Sequence, residues 1–204
     1  MNCIDLKIRK WGNCEMKSLL ESTKNTRPLL KNSLKLIRSD VPSNLSEREI
    51  QWLLDNKITT IIDLRQEDEI REKRCVLEKN SKFAYYNLPV RGGSEIPDSP
   101  NDVPKSYINM VDEVMWKIIE LVENATTNVL YFCNAGKDRT GVVSAILLLR
   151  MNIDKKEIID DYFKSGIYLE KMLKEYVEMN PSVDLEVITP KEIYMETFLE
   201  MLER

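Results

Sequence analysis

Residues 133–139, Cys-Asn-Ala-Gly-Lys-Asp-Arg, put a thiol, two cations and a carboxylate on one short turn, followed by Thr140 and Gly141. A thiolate is a strong nucleophile, and a guanidinium can fork two N–H donors onto two phosphoryl oxygens. The chain contains no histidine, which removes Ser-His-Asp and Cys-His catalysis and most zinc and haem sites. A nucleophile here must be activated without imidazole. On this turn the activators are the N-terminus of a following helix, Arg139 and Lys137, all of which favour Cys133 as a thiolate. Such a set suits phosphoryl transfer to sulfur, followed by hydrolysis of the cysteinyl-phosphate. The backbone N–H groups of Asn134, Ala135, Gly136 and Lys137 can converge on phosphate oxygens, and glycine at 136 permits a positive φ. With Arg139 they would carry the charge of the transferring group, so the chemistry calls for no metal and no cofactor. The hydroxyl of Thr140 can donate to the thiolate and ease its departure.

The flanks must hold this turn rigid. VLYF (129–132) before it is apolar and β-branched or aromatic, a buried strand, and the stretch from 141 to 152 reads as a buried helix. A strand running into a loop and then a helix is an anion-binding geometry, and ligands of open α/β sheets sit at the carboxyl ends of strands. Two more strands are predicted at 58–65 (ITTIIDLR) and 83–90 (FAYYNLPV). Upstream, Ser46 and Glu49 form a capping box, with Leu45 and Ile50 as a hydrophobic staple, for a helix ending near Asn56. Helical spacing covers 105–123, another helix starts at Asp154 with Glu157 three residues on, and Thr189-Pro190-Lys191-Glu192 announces the last. Residues 91–104, rich in Gly, Pro, Ser and Asp, form a surface loop, and residues 1–33 an irregular layer. The pattern predicts an α/β fold with a central, largely parallel sheet of four to five strands flanked by helices, in one domain over 1–204.

Composition narrows the partners. Thirty basic and 34 acidic residues give a net charge of −4 with no basic cluster, which argues against nucleic acid. Apolar runs such as 145–149 are far too short to span a bilayer, and the charged N-terminus lacks the apolar stretch of a signal peptide. The expected location is the cytoplasm, without integral membrane contact. Cys3, Cys14 and Cys75 fit no zinc spacing and read as small buried residues. Trp11, Trp52 and Trp116 read as packing residues.

CNAGKDRTG resembles the Cys-x5-Arg-Thr-Gly signature of the cysteine-dependent protein tyrosine phosphatases. Its wording is closest to a bacterial tyrosine/serine phosphatase family that also dephosphorylates phosphoinositides. LIRSDVPSNLS (36–46), the Asp-Leu-Arg triplet at 63–65 and IDDYFKS (159–165) fit that family, and NCIDL resembles a degraded form of its N-terminal segment. The resemblance implies a phosphatase-type three-layer fold and phosphorylated protein or phosphoinositide substrates. One residue departs from the pattern: Phe132 stands where most such enzymes carry histidine.

A leaving oxygen needs a proton, and here a carboxylic acid must supply it. Asp138 lies inside the loop, and the resemblance implies that an aspartate there can serve. Asp98 or Asp102 could instead swing in on 91–104 as a lid. Asp63 and Arg65 read as a brace beneath the phosphate site. Lys137 is either a second cation for multiply charged head groups or a solvated lysine, and Arg91 stands at the mouth of the lid. Three functional readings lead: a tyrosine or dual-specificity phosphatase, a phosphoinositide phosphatase with the same mechanism, and a non-catalytic phosphate-binding module; a sulfurtransferase is more distant, since its cysteine loop does not need the trailing Arg-Thr-Gly.

Overall fold

The computed structural model describes residues 16–203. Cys3, Trp11, Cys14 and the NCIDL stretch lie outside them. Strands β1 (Arg27–Pro28), β2 (Leu36–Ser39), β3 (Ile58–Asp63), β4 (Ala84–Asn87) and β5 (Asn128–Phe132) form one sheet in the order β1-β2-β5-β3-β4. β1 runs antiparallel to β2, and every other neighbouring pair is parallel. β5, which leads into Cys133, is therefore an inner strand, held on both sides.

Side chains of β5 alternate between two cores, as a doubly covered strand requires. Val129 and Tyr131 face one, Leu130 and Phe132 the other. On β3, Ile58 and Ile61 share a face although three residues apart. A register shift against β5 between Ile58 and Thr60 inserts the extra residue that makes this possible. Helices α3 (Val103–Ile108), α4 (Glu113–Asn124), α5 (Asp138–Arg150), α6 (Lys155–Met179) and α8 (Glu192–Leu202) supply the first core. Helix α1 (Glu47–Asp55) and residues 75–83 cover the second face. The result is the three-layer α/β arrangement. Helix α5 packs directly on the sheet, and its residues 139–148 are all buried, which fixes the axis along which its N-terminus points. No helix among the described residues is long and apolar enough to cross a membrane.

The Ser46–Glu49 capping box is present as expected. Other boundaries moved for identifiable reasons. β2 has four residues, too few to show a periodicity, and its pairing to β5 is what makes it a strand. β3 and β4 end earlier than predicted, and beyond them single bonds such as Leu88 N–H to the Asp63 carbonyl continue the contact irregularly. The helical stretch at 105–123 is two helices. Asp112 accepts from the N–H groups of Val114 and Met115 and starts α4 afresh. Asp154 caps α6 through the Lys156 amide, without Glu157. The Thr189 capping box does not form. Thr189 ends a one-turn helix, α7 (Leu185–Ile188), and Lys191 occupies the N-cap of α8 without a side-chain bond. Burial of Val187 and Ile188 settles that segment ahead of local capping. Trp52 is partly buried as expected, whereas Trp116 is 46% exposed, because it lies on the outer side of α4.

Candidate active site

Cys133 follows β5 directly and is buried. α5 begins at Asp138, three residues earlier than the apolar run suggests, so Asp138, Arg139 and Thr140 occupy its first turn. Only residues 133–137 remain as loop. Gly136 has φ +67°, and a Cβ there would sit 2.4 Å from the Ser39 carbonyl oxygen at the end of β2. Glycine is thus required twice, by backbone conformation and by close approach.

The loop carbonyls are tied on its outer side. Asn134 O accepts from the Val41 amide at 3.2 Å, and Lys137 O from the Gly141 amide at 2.9 Å. The Asn25 side-chain amide reaches the carbonyls of both Ala135 and Gly136 at 3.0 Å, and Arg38 Nη2 reaches Gly136 O at 2.8 Å. Among the described residues, no oxygen accepts from the N–H groups of residues 134–140. Carbonyls bound outside and amides unpaired inside make an anion cradle, to which the helix N-terminus adds its own field.

What holds the cradle is a buried charge cluster. Asp161 on α6 lies between Arg27 and Arg38 and accepts from both. Burial opposes its charge, but the two arginines outweigh that and keep its pKa below the ordinary value. Arg27 also donates to Asn25, aligning the amide that grips the loop. The sequence reading gave no role to Asn25, Arg27, Arg38 or Asp161. Arg38 and Asp161 lie in two of the stretches that carried the resemblance, but a long-range cluster leaves no spacing signature.

Arg139 is 2% exposed and makes a two-pronged pair with Glu69, each bond 2.6 Å. Burial works against its charge, yet the bonds to Glu69 and the nearness of Cys133 raise its pKa above the ordinary value. Its Nε has no partner among the described residues. Glu69 is the third residue of α2 (Glu67–Glu72) and also accepts from the Gln66 amide and the Asn134 side chain. It resembles an ordinary helix-start carboxylate, and so sequence reading missed it. Arg65 donates to Asp63 at 2.7 and 2.9 Å, and Tyr85 donates to the same carboxylate at 2.6 Å. Asp63 and Arg65 are fully buried and pair with each other. The guanidinium of Arg65 lies 5.3 Å from the centre of the Phe132 ring, so the phenyl group that stands where histidine is usual supports the pair by a cation–π contact.

Asp138 accepts from the Tyr107 hydroxyl at 2.6 Å, and Lys137 Nζ lies 3.3 Å from its other oxygen. Lys137 is neither solvated nor directed into the cradle. Its side chain is buried and donates to the Ile188 carbonyl, leaving its backbone as its contribution to the loop. The Thr140 hydroxyl is fully buried and has no partner among the described residues. Asp98 and Arg91 are exposed. Asp102 is held by Ser99 and Lys105, which lower its pKa, chiefly through the lysine. Part of the 91–104 segment nevertheless lies against Arg139 and Asp138. A Cβ on Gly93 would come within 2.9 Å of the Arg139 stem, and residues 93–97 wall a cavity of about 60 Å³ whose far side includes Tyr107, Lys137, Asp138 and Ile188. Cys75 is buried on the opposite face of the sheet, where burial pushes its thiol up to about 12, so it remains an inert packing group.

A model of the tyrosine phosphatase family matches residues 22–204. A tyrosine-protein phosphatase of Nostoc commune is 27% identical over 124 residues, which cover 56% of this chain and 42% of the relative. The chain thus spans less than half the length of that curated relative. Among solved structures, the Siw14 catalytic core has a TM-score of 0.51 at 17% identity, over 80% of this chain and 96% of that one. The core catalytic domain of the PP-IP phosphatase SIW14 from S. cerevisiae gives 0.50 at 20% identity, over 80% and 97%. At these identities the likeness establishes the α/β fold.

Proposed function

This chain belongs to the tyrosine phosphatase family, and we propose that it hydrolyses phosphate monoesters through a cysteinyl-phosphate on Cys133. The observation that carries the reading is the amide cradle: N–H groups at residues 134–140 with no acceptor among the described residues, immediately after a buried cysteine and at the start of a rigid helix. The Cys133 thiolate attacks phosphorus, and the bond to the leaving oxygen breaks. The cradle and Arg139 hold the equatorial oxygens, with Glu69 setting the plane of the guanidinium. Asp138 gives its proton to the leaving oxygen. In the second step Asp138 takes a proton from water as the water oxygen attacks phosphorus. The S–P bond then breaks and returns the thiolate.

Asp138 is favoured over Asp98 and Asp102 because it alone of the three adjoins Arg139 on α5 and lines the cavity, whereas Asp102 is engaged by Ser99 and Lys105. Phosphotyrosine, with phosphoserine or phosphothreonine as lesser substrates, is favoured over phosphoinositides. The cation that would select a multiply charged head group, Lys137, is already committed to Ile188 and Asp138. A side-by-side screen of phosphopeptides and phosphoinositides, with Cys133→Ser as control, tests this. The reading predicts phosphotyrosyl peptides as best substrates and no turnover by the variant. A lipid preferred over every peptide would reverse the substrate choice, and phosphate binding without turnover would leave only a binding module.

A further inference from the structure

We infer that Tyr107 is the positioning residue for proton transfer by Asp138, acting through a buried hydroxyl chain that runs from Tyr162 through Tyr107 to the carboxylate. The inference rests on the assignment of Asp138 as the proton carrier. Tyr107 O–H donates to Asp138 Oδ1 at 2.6 Å, and the Tyr107 and Tyr162 oxygens are 2.7 Å apart. A phenol has one proton. Since Tyr107 spends it on Asp138, Tyr162 must be the donor to Tyr107, so both dipoles point at the carboxylate. Polarisation along such a chain strengthens its last bond.

The rings are fixed as well as the hydroxyls. Tyr107 packs edge-on to Tyr162 at 5.9 Å and to Phe198 at 6.2 Å between ring centres. Both tyrosines are 2% exposed, and burial followed by the charge of Asp138 holds their pKa values well above the ordinary one. Neither phenol therefore gives up its own proton; they orient rather than catalyse. With one carboxylate oxygen held by Tyr107 on α3 and Lys137 beside the other, the Asp138 carboxylate cannot turn freely. Its orientation toward the cavity under residues 93–97 is set from α3 and α6, two helices outside the signature loop. When Asp138 gives up its proton, the negative charge forms opposite an O–H already pointing at it, so no group has to reorganise.

Tyr107→Phe removes the O–H and keeps the ring. A positioning role predicts a loss in kcat/KM that depends on the leaving group, because kcat/KM reports the first step, where the proton is delivered, whereas kcat also reports the later hydrolysis, in which Asp138 acts whatever group has left. Phenyl phosphate or a phosphotyrosyl peptide, which need the proton, should slow by about 10- to 100-fold, the worth of one hydrogen bond to a charged group. 4-Nitrophenyl phosphate, whose leaving group needs no proton, should change in kcat/KM by less than about two-fold. Tyr162→Phe, which removes only the polarising bond, should repeat the pattern more weakly. The double variant Asp138→Asn/Tyr107→Phe should be no slower than Asp138→Asn alone, because Tyr107 acts through that carboxylate. Equal loss of kcat/KM with both leaving groups, or additive losses in the double variant, would each overturn the inference while leaving Asp138 its role. If Asp138→Asn itself shows no dependence on the leaving group, the assignment of Asp138 fails, and this inference with it.

Discussion

Replacing Asp161 by asparagine probes how the cradle is held. The carboxylate is 6% exposed and lies between Arg27 and Arg38, themselves 5% and 0% exposed. It accepts from Arg27 Nε at 3.1 Å and from Arg38 Nη1, while its own carbonyl takes Arg27 Nη2 at 2.8 Å. Asparagine keeps the shape and one acceptor oxygen but removes the charge, so two guanidiniums face each other with no negative charge between them. Breaking a buried ion pair from one side costs about 3–5 kcal/mol. In a chain of this size that lowers Tm by roughly 6–20 °C. Because the folded pKa of Asp161 lies below its ordinary value, its contribution is complete at neutral pH and is lost as pH falls through the folded value. The variant should therefore lose less stability on acidification than the wild type. Arg38 also holds the Gly136 carbonyl, so kcat/KM should fall even at temperatures where the variant is fully folded. Denaturant unfolding at neutral and acid pH, paired with steady-state kinetics, measures both effects, with Asp160→Asn next door as control. A variant within about 1 kcal/mol of wild type, below the range for a broken buried pair, and of unchanged kcat/KM, would refute the idea that this cluster supports the loop.

Three further perturbations have definite outcomes. Gly136→Ala places a methyl group 2.4 Å from a backbone oxygen at φ +67°. Left-handed strain alone costs about 1–2 kcal/mol, and the clash must move the loop. Circular dichroism should remain native-like while product inhibition by inorganic phosphate weakens; unchanged inhibition would show that the loop does not bind the anion. Glu69→Gln removes the charge partner of Arg139. Hydrogen bonds to charged groups contribute about 1.5–3 kcal/mol, so kcat/KM should drop by about 10- to 100-fold, whereas Glu67→Gln, which touches only the exposed Arg71, should be silent. Glu49 lies in the α1 cap. Burial favours its neutral form, but the Ser22 hydroxyl and amide and Ser46 together hold it down to about 2. Its contribution is present above the ordinary 4.5 and fades as pH falls toward 2, so Glu49→Gln should flatten the loss of stability across that interval in acid melts.

The signature loop was legible because its chemistry is local. Cys133, Gly136 and Arg139 stand at fixed spacing between a strand and a helix that period and composition reveal, and the α/β class follows from the same alternation. The Asp63–Arg65 pair was legible because the two residues follow each other closely at the end of β3 and just beyond it. What escaped depends on distance in sequence. Asn25 reaches the loop across 111 residues and Arg38 reaches Asp161 across 123, and no local spacing pairs these residues. Lys137 misled for a related reason. A lysine on a polar loop reads as a free cation, and only the return of α7 brings up the Ile188 carbonyl that occupies it. Tyr107 sits inside a helical periodicity, where an aromatic residue reads as core. It is core, with its hydroxyl end in the site.

The central claim is that a phosphoryl group passes through Cys133. Rapid acid quenching during turnover of 4-nitrophenyl phosphate, followed by mass spectrometry of the digested chain, tests it most directly. The account predicts one phosphoryl group on the peptide containing Cys133, and neither adduct nor turnover in Cys133→Ser. Turnover by that variant, or a phosphoryl group on any other residue, would contradict it.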